Sequence, residues 1–141
     1  MIKKQFFIAK WIVVNKKWEI LLVKRERPLH KESHNNWELP WWKIDFWESP
    51  NISVIREIKE ESWYDAKIEY MLWKIASEKM YFPNRESHML IVSYVCKLVW
   101  WEKSFLDKDI NDISWFNIKD INKLKTLSWT MEFINEYINW I

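Results

Sequence analysis

The 141-residue sequence contains no glycine, although average usage would supply roughly ten in a chain of this length. Glycine enters left-handed backbone at no steric cost, so its absence leaves every tight turn and helix end to residues that resist that conformation. There is one cysteine, Cys96, which excludes a disulfide framework within the chain. It lies in the largely apolar run from Ile91 to Val99 and reads as a buried thiol, in a protein of a reducing, cytoplasmic compartment. No run approaches the ~18 apolar residues of a membrane-spanning helix, so no membrane partner is expected. The apolar N-terminus is interrupted at Lys10, with no small-residue cleavage site beyond it, and reads as a first strand rather than a signal peptide. Charge is nearly balanced, with 22 basic and 20 acidic side chains and a formal net charge of +2. That balance disfavours a polyanion-binding surface, and with it nucleic acid as a bulk partner.

What the sequence has in excess is tryptophan, thirteen of them. Trp18 closes Asn15-Lys16-Lys17-Trp18 between two strand-like runs, where a short hairpin wants a left-handed residue. Trp63 follows Glu60-Glu61-Ser62 where a helix should end on a glycine cap. Trp41-Trp42, directly after Pro40, and Trp100-Trp101 stand at strand ends where turns are expected. Trp37 and Trp115, by contrast, have the surroundings of ordinary strand tryptophans. A codon read as glycine by the cell but written as tryptophan would produce this distribution, and most of the thirteen are therefore expected to stand where the living protein has glycine.

No linker, repeat or low-complexity segment divides the chain, so residues 1–141 are expected to form a single domain. Phe6 to Val14 and Glu19 to Lys24 read as a strand pair, Pro28 to Asn36 as a loop, and Trp37 to Leu39 as a short strand stopped by Pro40. Ser49-Pro50 opens a helix, serine at the N-cap and proline at the first helical position. Ile52, Ile55 and Ile58 mark its expected core face, and it ends near Ser62. Ala66 to Lys79, Ser87 to Val99 and Ile113 to Asn117 are strand-like. Ile118 to Leu124 and Met131 to Ile138 are helical. Strands interspersed with two or three helices predict the α/β class, an α/β/α sandwich around a mixed sheet.

The helix from Ser49 to Ser62 carries the chemistry. Glu57, Glu60 and Glu61 fall on one patch, and Glu48 lies just before the helix starts. Like charges at this spacing each cost a few tenths of a kcal/mol, and the C-terminal half of a helix also disfavours anions. A hard divalent cation reverses that cost, and oxygen-only ligands suit Mg²⁺ or Mn²⁺ rather than zinc. The bland alternative is a solvated acidic face relieved by Arg56 pairing with Glu60.

The full spacing favours the cation. Trp42, Glu48, Arg56-Glu57-Ile58, Glu60-Glu61 and Trp63-Tyr64 resemble the box of the Nudix hydrolase family, which runs glycine, glutamate, Arg-Glu-aliphatic-x-Glu-Glu-x-Gly-aliphatic. Six charged or aliphatic positions match in register, and the two box glycines are written as Trp42 and Trp63. The resemblance implies a Mg²⁺-dependent hydrolase, with Mn²⁺ as a substitute, that cleaves a phosphoanhydride bond in nucleoside di- or triphosphates or nucleoside-diphosphate derivatives. It further implies that Glu57, Glu60, Glu61 and the Trp42 carbonyl bind metal, that Arg56 orients a catalytic glutamate, and that Glu48 is an accessory acid. Glu57 is then the candidate general base, with Glu102, in the loop after Val99, as a candidate base outside the box. Arg25, at the end of the second strand, is a candidate substrate contact. The partner is a small nucleotide, and a homodimer accords with the family's habit. The alternative function is a catalytically silent nucleotide-sensing module on the same fold, which the retention of all four glutamates disfavours.

Overall fold

The computed structural model describes residues 1–26, 34–62, 64–100 and 110–141. The side chains of residues 61, 62, 100, 110 and 111 lie outside that description. In chain order the elements are β1 (Ile2–Val14), β2 (Glu19–Arg25), β3 (Trp37–Glu38), β4 (Trp41–Lys43), α1 (Pro50–Ser62), β5 (Asp65–Met71), β6 (Ala76–Phe82), β7 (Arg85–Trp100), β8 (Ile110–Asn117), α2 (Ile118–Ile121) and α3 (Thr130–Trp140).

The sheet is mixed because β1 and β7, the two longest strands, run parallel in unbroken register from Ile2 beside Arg85 to Val14 beside Lys97. The other strand-to-strand pairings among the described residues are antiparallel: β2 lies between β1 and both β3 and β8, β4 lies on β1, and β5 and β6 both pair with β7. Alternation along β1 then sends side chains to two separate cores. Ile8 and Ile12 join Ile20, Leu22, Ile91 and Val95 on one face, closed by Ile121, Phe133, Ile134 and Tyr137 of α2 and α3. Ala9, Trp11 and Val13 join Leu21, Val23 and Val92 on the other, closed by Val54 and Ile58 of α1. Helices therefore cover both faces of the sheet, the α/β/α sandwich expected from the sequence. Each fully buried side chain such as Phe133 or Ile58 stabilises this arrangement by about 1.5–3 kcal/mol relative to exposure.

Three local expectations are corrected. The stretch from Ala66 to Lys79 is two strands, β5 and β6, not one. Leu72 turns inward, fully buried, and donates its amide to the Ser93 carbonyl at 2.9 Å. The amides of Trp73 and Lys74 then go to the Glu136 carboxylate on α3, at 2.7 and 2.8 Å, instead of to a neighbouring strand. The helical segment after Asn117 is a single turn, α2, capped by the Asn117 side chain accepting from the Lys119 amide at 3.0 Å. On α1 the inward face is Ser53, Val54, Glu57 and Ile58, while Ile52 is 67% exposed. The three isoleucines follow an i, i+3 series that drifts around the helix, whereas the buried stripe also takes in a carboxylate.

Candidate active site on the acidic helix

Helix α1 starts cleanly because Pro50 supplies a preset φ and lacks the amide that the first turn cannot satisfy, and the Ser53 amide closes onto the Ser49 carbonyl at 3.0 Å. Val54 and Ile58 seat it on the sheet. That seating draws Glu57 under cover, its side chain 5% exposed, while Arg56 and Glu60 stay largely in solvent at 41% and 55%. Before the helix, the Glu48 amide donates to the Asp45 carbonyl at 3.0 Å and the Asp45 amide donates to Glu48 Oε2 at 3.1 Å. This turn points Glu48 back toward the helix.

Arg56 is the centre of the arrangement. Its Nη2 donates to Glu48 Oε1, and its Nη1 donates to Glu57 Oε1 at 2.6 Å and to Glu60 Oε2 at 3.1 Å. One guanidinium thus holds three carboxylates, one from the loop and two from its own helix. The Arg56 hydrogen bond holds the Glu48 carboxyl below its usual range, and the Glu48 bond in turn raises the guanidinium's pKa. Glu57 moves the other way. Burial first, and the charge on Glu60 second, push it up from 4.5 to about 7 against the opposing pull of Arg56. The patch has more negative charge than its one cation balances.

Among the described residues no three His, Cys, Asp or Glu side chains converge as a ready metal site. Arg56 draws Glu48, Glu57 and Glu60 to itself instead, and the side chain of Glu61, also on α1, lies outside the described residues. Trp63 and Glu102 lie outside them too. Trp42 is inside β4, opposite Ala9. It was expected in a turn with glycine-type backbone, but φ there is not positive, because β1 takes up residues 41–43 as an edge strand. Its indole is packed against the α1-side core with Nε1 buried and, among the described residues, no hydrogen-bond partner.

Arg25 is placed away from solvent. It is 3% exposed, its Nε sits 2.9 Å from Glu38 Oε1, and its guanidinium lies 5.4 Å from the Trp41 ring centre. Glu38 is fully buried and also accepts from Trp41 Nε1 at 3.0 Å. Sequence reasoning missed Glu38. The available signal was a lone carboxylate between Trp37 and Leu39, in a segment otherwise apolar. Its pairing depends on the β2–β3 register, Val23 opposite Glu38, and on the irregularity after Lys24 that swings Arg25 inward.

Helix α1, on one face of the sandwich, thus carries a guanidinium-centred carboxylate cluster. The NUDIX domain family model matches residues 8–137. The chain belongs to that family. Solved structures with the same fold include a NUDIX hydrolase from Nitrosomonas europaea, at TM-score 0.77 and 18% identity over 96% of this chain and 89% of that one. A MutT NUDIX hydrolase from Burkholderia pseudomallei matches at TM-score 0.72 and 22% identity, covering 94% and 97%. The NUDIX domain of Shewanella oneidensis NrtR, in a structure complexed with ADP ribose, matches at 0.71 and 17%, covering 96% and 87%. Among curated proteins, none matches the sequence.

Proposed function

We propose that this chain is a Mg²⁺-dependent pyrophosphohydrolase, with Mn²⁺ as a substitute, cleaving a phosphoanhydride bond in nucleoside di- or triphosphates or nucleoside-diphosphate derivatives by attack of water at phosphorus. The observation that carries this reading is the engagement of Glu48, Glu57 and Glu60 by the single guanidinium of Arg56. The donor set suits the metal: it is all carboxylate oxygen, and among the described residues one guanidinium is shared by three carboxylates, while burial first and the charge on Glu60 second raise the pKa of Glu57. Glu57, Glu60 and Glu61 would hold the ion, with the backbone carbonyl of residue 42. A bound divalent cation supplies charge neutralisation on the diphosphate oxygens and lowers the pKa of the attacking water. Arg56 fixes the direction of Glu57, and Glu48 fixes Arg56. Glu57 is the candidate general base, its carboxylate buried and oriented by Arg56. Glu102 is retained as the alternative base. Arg25 acts indirectly in this scheme, by anchoring Glu38 and hence the Leu39-Pro40 connection that leads into the box. The buried thiol suits a reducing, cytoplasmic setting.

A nucleotide-sensing module is the second reading, prompted by the ADP-ribose complex of the NrtR domain. The test is hydrolysis across nucleoside triphosphates, oxidised nucleotides, ADP-ribose and dinucleoside polyphosphates, with and without Mg²⁺, using Glu57→Gln and Glu61→Gln as controls. Metal-dependent turnover that collapses in both controls supports the enzyme. Nucleotide binding without turnover in the folded chain supports the sensor and refutes the enzyme.

A further inference from the structure

Among the described residues, four that are not glycine have positive φ: Trp18 at 62°, Asn35 at 57°, Trp47 at 69° and Trp129 at 70°. Asparagine is a common occupant of the left-handed region, but a bulky aromatic there is an outlier. Tryptophan makes up 13 of 141 residues, so chance would put fewer than one at four positions. Three are there.

Each of the three does backbone work that needs no side chain. The amide of Trp18 closes a turn onto the Asn15 carbonyl at 3.1 Å, and the next amide, of Glu19, reaches Asn15 Oδ1 at 2.9 Å. Trp47 sits inside the Asp45–Glu48 turn that delivers Glu48 to Arg56. Trp129 is the residue before α3 and makes no side-chain cap bond, while its carbonyl accepts the Phe133 amide at 3.1 Å. Trp18 and Trp47 are 61% and 91% exposed, and Trp47 meets only the exposed Phe46 ring edge-to-face at 4.8 Å among the described residues, so little packing offsets the left-handed backbone. Other tryptophans are integrated as side chains. Trp11 is 1% exposed in the α1-side core, Trp37 meets Phe116 edge-to-face at 4.8 Å, and Trp115 Nε1 donates to the Tyr64 hydroxyl at 3.3 Å.

We infer that the protein made by its host carries glycine at positions 18, 47 and 129 and genuine tryptophan at 11, 37 and 115. The first group is set apart by left-handed backbone, Trp129 also being partly buried against the α3-side core, and the second by packing or hydrogen bonding without positive φ. A codon read as glycine in the host accounts for the first group, and the ordinary tryptophan codon for the second. The inference is independent of the proposed hydrolase activity, and neither of its tests needs turnover.

Peptide mapping by mass spectrometry of the chain purified from its host reads all six positions. Glycine at 18, 47 and 129 with tryptophan at 11, 37 and 115 is the expected result. Tryptophan at 18, 47 and 129, or glycine at 11, 37 and 115, overturns the assignment. Recombinant chain gives a second readout. The triple substitution Trp18→Gly, Trp47→Gly, Trp129→Gly should move the urea midpoint upward, and Trp11→Gly should move it down. A triple variant with an unchanged or lower midpoint refutes the conformational argument even if the chain as written folds.

Discussion

The buried pair Arg25–Glu38 invites a decisive perturbation, because two accounts of Arg25 make opposite forecasts. The pair is separated by 2.9 Å, with side chains 4% and 0% exposed, and Trp41 adds a second contact to Glu38 at 3.0 Å. Removing one member of a buried ion pair leaves the other charge uncompensated, which typically costs about 3–5 kcal/mol. Domains of this kind have about 5–15 kcal/mol in total, so Glu38→Gln or Arg25→Met should remove about a fifth of it or more. Replacing both at once removes both charges, and buried pairs exchanged for neutral groups are often near neutral. The double variant Arg25→Met, Glu38→Gln should therefore recover about 2 kcal/mol or more relative to the sum of the single changes. Trp41→Phe, which removes only the indole donor, should cost about 1.5–3 kcal/mol, the range for a hydrogen bond to a charged group. Urea unfolding of the four variants, read as midpoint at constant m, measures all of this. Additive single effects, or a Glu38→Gln loss under about 1 kcal/mol, would refute the claim that the pair holds the β3–β4 connection. If Arg25 instead touches substrate directly, Arg25→Met leaves stability nearly intact and raises KM.

Three further outcomes follow from the site and the cores. Because the pKa of Glu57 is raised by folding from 4.5 to about 7, the folded state binds the proton more tightly. Its contribution in metal-free protein is fully present below about 4.5 and is lost as pH rises through about 7; unfolding in EDTA should show that decline, and Glu57→Gln should flatten it. Saturating Mg²⁺ should raise stability by about 2.7 kcal/mol at a hundredfold excess over Kd, an increase that Glu57→Gln sharply reduces; thermal melts showing no metal effect on the unaltered chain count against the metal assignment. Cys96 is 1% exposed and its thiol is pushed up to about 12 by burial and by Glu69, so a thiol reagent at about pH 8 should label it only after unfolding. Rapid labelling of the folded chain would show that the α1-side core is open there.

The helix, the strands that flank it and the chemistry of the box were legible in the sequence because each is a local pattern. Ser49-Pro50 is a start signal that needs no tertiary partner, alternating apolar residues mark β1 and β2, and the spacing of Arg56, Glu57, Glu60 and Glu61 is set by helical geometry alone, with Glu48 just before the helix. The glycine deficit was legible too, since turns are made by neighbours in sequence. Trp18 followed from its hairpin, whereas Trp47 and Trp129 needed the backbone itself to be seen. What depended on long-range register was not legible. The β1–β7 parallel pairing joins residues more than 80 apart, through Ile2 beside Arg85, and no local pattern specifies it. The break between β5 and β6 comes from Glu136, which takes the amides of Trp73 and Lys74 from another element. The burial of Arg25 and Glu38 follows from the β2–β3 register, and Glu57 reaches about 7 because the seating of Val54 and Ile58 carries its carboxylate out of water. The sequence by itself determined which groups are present and at what helical spacing; the tertiary structure decided which of them lose solvent, and therefore which are charged, paired and poised to act.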